Sequence, residues 1–168
     1  MKNVLIPLGL LLLMTPFQEV GYAKKGGTDR PFKGYALSTV TQFSVDNPAP
    51  QVFAPNQCDE KDILGYFDVQ YVGEATQMGE ITRQEYAVLY TDGSFEGIMF
   101  FVAANGDELV ALFEGGLESL APPSTGSGCY TFIGGTGRFA EASGETCFEL
   151  YTPDFTNISV MFDGKISF

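Results

Sequence analysis

"EYAVLYTDGSFEGIMFFVAANGDELVALFEG", residues 85–115, decides how the rest of the chain is read. Two dipeptides, Asp92-Gly93 and Asn105-Gly106, interrupt runs rich in aliphatic and aromatic residues. Both accept the positive φ that type I′ hairpin turns require. The stretch therefore reads as three consecutive antiparallel strands at about 81–91, 94–104 and 107–115.

The same grammar continues in both directions along the chain. "FKGYALSTVTQFSV" (32–45) is a strand candidate, and in "GYFDVQYVGEAT" (65–76) Phe67, Val69 and Tyr71 alternate with Asp68 and Gln70, which buries one face. Between them, "DNPAPQVFAPNQCDEKD" (46–62) carries too much Pro, Asn and Asp to be anything but a long loop. After a second loop, "APPSTGSG" (121–128), come "CYTFIGG" (129–135), "GETCFELYT" (144–152) and "NISVMFDGKISF" (157–168). The expectation is an all-β, eight-stranded antiparallel barrel, the size at which an interior is just filled or holds one small ligand. It forms a single domain at 32–168 behind a flexible lead-in at 24–31.

Residues 1–23 read as a secretory signal: Lys2, an apolar run from Val4 to Met14, then Gly21-Tyr22-Ala23 as an A-x-A-like cleavage site. That run is far short of the roughly 20 residues that span a bilayer, so a secreted or periplasmic protein without a membrane span is expected. Loss of residues 1–23 removes Lys2 and Glu19 together and leaves the formal charge at −12. Such a charge repels phosphate backbones and anionic membranes, which argues against nucleic acid as a partner and favours simple solubility outside the cell.

"FIGGTGRFAEASGE" (132–145) fits the dinucleotide fingerprint G-x-G-x-x-A at Gly135, Gly137 and Ala140. A dinucleotide loop needs a helix to follow, whose N-terminal amides hold the pyrophosphate within a βαβ unit. The residues after Ala140 oppose a helix, and too few remain to complete a doubly wound sheet. A tight turn between strands explains these glycines.

Reactive groups are sparse. The chain has no His, which removes the usual nucleophile-base machinery and His-bearing zinc sites. No metal site or cofactor is expected. Asp59-Glu60-Lys61-Asp62 reads as a solvated loop, and Asp92 and Asp107 belong to turns. Glu74, Arg83, Glu85 and Arg138 lie in or beside strands, where two of them could face inward; Arg138 could instead brace the glycine turn. Aromatics on strands could line an apolar cavity or simply fill the core.

In order and spacing, "GYFDVQYVGEATQMGEITRQEY", "AANGDELVALFEGG" and "GCYTFIGGTGRFAEASGE" resemble the secreted bacterial proteins of the allene oxide cyclase barrel-like group, fold relatives of plant dirigent proteins. The resemblance spans about Gly65 to Phe168 and implies an eight-stranded barrel around an apolar cavity, trimeric in the plant enzymes. Where "ATHLG" is expected, this chain has Ala75-Thr76-Gln77-Met78-Gly79, so any role of that His is absent.

The candidate ligand-binding set is Tyr71, Glu74, Arg83, Tyr86, Tyr90, Phe132 and Phe148. A noncatalytic barrel for a small apolar ligand, or a structural partner protein, requires the fewest assumptions. A cyclase or isomerase resembling allene oxide cyclase is the first alternative, and a hydrolase with paired carboxylates the second. Cys129 and Cys147 flank the glycine turn symmetrically and should form a disulfide, leaving Cys58 over. In "FEGIMFFVAA" (95–104) both faces are apolar, which points to a homo-oligomer, a trimer by resemblance. Without His, ligand binding should be indifferent to pH near neutrality unless burial shifts a carboxylate.

Overall fold

The computed structural model describes residues 27–47 and 63–168. The signal segment, Cys58 and the acidic loop 59–62 lie outside the described residues. Eight strands follow one another in chain order: β1 Arg30–Ser44, β2 Ile63–Ala75, β3 Gly79–Tyr90, β4 Ser94–Ala103, β5 Glu108–Leu117, β6 Ser124–Gly135, β7 Ser143–Thr152 and β8 Asn157–Ser167. Each pairs antiparallel with its neighbours, and β8 pairs with β1, so the sheet closes into a barrel with no free edge.

The hairpin turns form where the sequence puts them but are not of type I′. Gly93 and Gly106 adopt φ of 87°, whereas Asp92 and Asn105 are not among the positive-φ residues. Gly93 N–H donates to the Tyr90 carbonyl at 3.0 Å and Gly106 N–H to that of Ala103 at 2.9 Å. Each is a type I turn followed by a left-handed glycine, the form that adds a bulge to a longer hairpin loop. Asp92 fixes the first by accepting from the Ser94 N–H at 2.9 Å and hydroxyl at 2.6 Å.

The glycine-rich segment is likewise a strand connection. A single 3-10 turn, Gly137–Phe139, follows β6, and Phe139 inserts fully into the core. Asp107 holds this turn from outside, its carboxylate 3.6 Å from Arg138 Nε. No βαβ unit exists here to seat a pyrophosphate.

The expected loop at 121–128 is too long, because β6 begins at Ser124. Gly126 and Gly128 read as loop residues, yet they lie where neighbouring strands approach too closely for a side chain. A Cβ on Gly128 would collide with the Glu114 carbonyl and the Phe148 ring. The pattern recurs: Gly34 faces Phe162, Gly97 faces Phe113, and Gly115 faces Phe95 across the ladder, each phenyl tip lying over the bare backbone. Glycine opposite an aromatic lets the wall curve while the ring covers the gap.

Side chains at alternate positions fill the interior. Along β3, Ile81, Arg83, Glu85, Ala87 and Leu89 face in, and Thr82, Gln84, Tyr86, Val88 and Tyr90 face out. The end bearing the turns after β2, β4 and β6 is packed solid. Phe32, Phe101, Phe132 and Phe162 meet there with ring centroids 5.0 to 6.5 Å apart, and Met78, Phe139 and Ala142 close it. Outside, Tyr66, Val88, Tyr90 and Ile98 form a second buried cluster. Cys129 and Cys147 sit directly opposite on β6 and β7 and are joined as a disulfide. It closes a loop of 18 residues, which in the chain-entropy account stabilises by about 3 kcal/mol.

Candidate functional site

Among the described residues the buried charges are Arg83 and Glu85, two apart on β3 and so on the same inward face. Arg83 lies nearer the packed end. Its Nη2 donates to the Tyr130 hydroxyl at 2.8 Å and its Nε to Met99 Sδ at 3.3 Å. The guanidinium carbon stands 4.2 Å from the Tyr71 ring centroid and 4.8 Å from that of Phe101. Aromatic faces thus replace part of the hydration that a buried cation loses. Nη1 finds no hydrogen-bond partner.

Glu85 Oε2 is 3.9 Å from Arg83 Nη2, a long and weak ion pair. Burial outweighs that attraction and the contact with the Tyr71 hydroxyl, and pushes the Glu85 carboxyl up to about 7. Burial also raises Tyr71 well above its ordinary value, with the neighbouring Glu85 adding to it, and pushes Tyr130 up to about 12. Both phenols therefore stay neutral. The barrel axis holds a fixed cation and, beside it, a carboxyl that changes charge near neutrality.

Toward the other end the packing loosens into an apolar cavity of about 80 Å3, lined by residues including Val40, Phe67, Val69, Leu89, Phe95 and Phe155, with Tyr71, Glu85 and Thr152 as polar members. Val40, Phe67, Leu89 and Phe155 also line an adjoining groove of about 440 Å3 at the rim, together with Phe43, Leu64 and Leu120. Phe155 stands at the junction. Its φ of 58° is unusual for an aromatic residue, and the β7–β8 turn imposes it. Phe155 N–H donates to the Thr152 hydroxyl at 2.8 Å, and Asp154 accepts from the backbone N–H of Thr156 and Asn157 at 2.9 and 2.7 Å.

The seven sequence candidates divide by strand face. Tyr71, Arg83, Phe132 and Phe148 point inward, but only Tyr71 reaches the cavity; Phe132 and Phe148 belong to the packed aromatic core. Three do not join them. Glu74 is exposed on the outside of β2. Tyr86 faces out, where it accepts from Gln84 Nε2 at 2.7 Å, and Tyr90 lies in the outer cluster, donating to Glu96 Oε1 at 2.6 Å. Aromatic character selected Tyr86 and Tyr90, but both have even numbers on a strand whose odd positions face the core. The same parity would have promoted Glu85, which shares the register of Ile81, Arg83 and Ala87. Among the described residues no other buried carboxylate accompanies Glu85 to make the pair that a hydrolase would need, and the acidic loop 59–62 lies outside them.

No family model matches the chain, and no curated protein matches it. A solved structure does. The pterocarpan synthase dirigent protein GePTS1 aligns over 92% of this chain and 97% of its own, with a TM-score of 0.58 at 13% identity. The chain therefore has a dirigent-like barrel fold. At that identity the likeness extends to architecture alone.

Proposed function

We propose that the protein is an exported, noncatalytic barrel that takes a small apolar molecule into its loosely packed end. The observation that carries this reading is the cavity between the aromatic core and Phe155: apolar on nearly all sides, with Tyr71 and Glu85 at its polar patch. Most apolar binding sites are built this way, with few polar groups fixing the orientation. The dirigent-like fold and the disulfide fit export.

A thermal-shift screen with aliphatic, terpenoid and phenolic compounds tests the proposal. A ligand at 100 times its dissociation constant should add about 2.7 kcal/mol of stability. If no apolar compound raises the melting temperature, the protein is a structural barrel instead. Glu85 also favours a second reading, an isomerase or cyclase, because a carboxyl titrating near 7 is suited to general acid or base work. Turnover of a bound apolar compound that disappears in Glu85→Gln would establish it.

Assembly belongs to the same proposal. Leu37 and Val72 are paired across β1 and β2, lie 58% and 63% exposed, and continue through Thr82 to Val102 as one row over four strands. This row lines an open groove of about 1020 Å3. A second copy of the chain laid against it would make the homo-oligomer. Light scattering that gives a strict monomer at high micromolar concentration would reject that part.

A further inference from the structure

The binding reading leaves open what kind of molecule the cavity selects, and the disposition of its polar groups narrows the answer. Three polar side chains line the cavity: Tyr71, Glu85 and Thr152. Thr152 is already committed, its hydroxyl donating to the Asn157 carbonyl at 2.8 Å and accepting from Phe155 N–H at 2.8 Å. Tyr71 is engaged with Glu85 at its hydroxyl and covered by Arg83 on its ring. The Glu85 carboxyl is left as the group with capacity to spare.

We infer that the cavity takes the head of a linear, uncharged amphiphile whose oxygen, as in a ketone or ester, accepts a hydrogen bond from the Glu85 carboxyl. This inference rests on the binding reading above. Electrostatics penalise each charged alternative in one protonation state of Glu85: a ligand carboxylate is repelled once Glu85 is ionised, and Arg83, 3.9 Å from Glu85, repels an ammonium head whenever Glu85 is neutral. Either charged head also loses its hydration on entering an apolar cavity. A neutral acceptor meets neither cost and needs only the proton on Glu85. Size sets the shape: about 80 Å3 holds only a few heavy atoms, given the roughly 30 Å3 that one water occupies in the liquid. The remainder of the molecule must lie in the rim groove among Phe43, Leu64, Leu120 and Phe155.

Binding of such a head is linked to protonation. The groups facing Glu85 are Arg83 on its own strand, Tyr71 on β2 and Tyr130 on β6. Burial raises both phenols, so they stay neutral through this range, and Glu85 supplies the dependence. Its neutral form donates the hydrogen bond, and that form is lost as pH rises through about 7.

Calorimetric titration of the purified, folded protein with 2-octanone, octanoate and octylammonium, at pH 5.5 and 8.5, tests the inference. The ketone should bind at least tenfold more weakly at pH 8.5, on the order of the fall in neutral Glu85. Octanoate should be the weaker ligand at pH 8.5, and octylammonium should show the opposite pH trend to the ketone. Glu85→Gln keeps an N–H donor at every pH, so its ketone affinity should be the same at both. A ketone affinity that is flat in the unsubstituted protein, octanoate binding as tightly as the ketone at pH 8.5, or a tenfold fall that persists in Glu85→Gln would each overturn the inference while leaving ligand binding intact. If no probe binds at either pH but other apolar compounds raise the melting temperature, this head-group assignment fails. If nothing binds at all, the binding reading fails with it.

Discussion

The two ends of this barrel are built from the same strands and packed to different purposes. At the end that contains Phe32, Phe101, Phe132 and Phe162, rings meet edge to face or stacked and Phe139 seals the opening. At the other end Phe67, Phe95 and Leu150 are only partly buried, and a void remains among them. Arg83 and Glu85 lie where the two regimes meet, the cation in the aromatic cage and the carboxyl at the cavity. A barrel of eight strands can thus be a filled core and a container at once, because the layers along its axis pack independently. The packed layers supply stability, and the loose layer supplies space.

The largest expected effect tests that division. Phe101 is fully buried and touches Phe32, Tyr130, Phe132 and Phe162. Phe101→Ala should cost about 3–5 kcal/mol in a denaturant unfolding experiment. Phe67 borders space that is already empty, so Phe67→Ala should cost only about 1–2 kcal/mol. Equal losses would show that the cavity end carries as much packing as the closed one.

Next in size is the pH dependence at the boundary. The folded Glu85 value, about 7, lies above its ordinary 4.5. The native state therefore binds the proton more tightly than the unfolded chain. The resulting stability is complete below about pH 4.5 and is lost as pH rises through about 7, by on the order of 3 kcal/mol at most. In Glu85→Gln that contribution to the slope should vanish, and the difference between the two proteins across pH 4 to 8 isolates it from the background of a chain with a net charge of −12. Parallel curves would mean that Glu85 titrates as an exposed acid.

The smallest stability effect is expected at the mouth. Phe155→Gly relieves a left-handed φ of 58°, a gain of about 1 kcal/mol that roughly cancels the lost contact and the added chain entropy. Its net change in melting temperature should be close to zero while ligand association becomes faster. A large loss of stability would instead make Phe155 part of the core.

Much of the architecture was legible because turns are local. Asp92-Gly93 and Asn105-Gly106 fix two hairpins, and Cys129 and Cys147 fall opposite each other because the glycine segment between them is a turn. The start of β6 at Ser124 was hidden: Ser, Thr and Gly read as a loop unless one knows that Phe148 lies across the ladder to cover Gly128. The site was half legible for a related reason. On β3 and β4 both faces carry apolar residues, so the alternation that separates inside from outside is weak, and Tyr86 and Tyr90 look as eligible as Tyr71. Closure of the barrel decides between them, and closure is a property of all eight strands. The role of Phe155 depends on a turn conformation that its residue type disfavours, which no local rule anticipates.

The most direct measurement is the titration of the Glu85 carboxyl carbon by NMR, without and with a saturating neutral ligand such as 2-octanone. The expected midpoint is about 7 in the free protein, moving upward when the ligand occupies the cavity, because a head that accepts from the neutral carboxyl stabilises it. A free-protein midpoint near the ordinary 4.5, or one that the bound ligand leaves unmoved, would contradict the assignment of Glu85 as the polar contact of an apolar binding site.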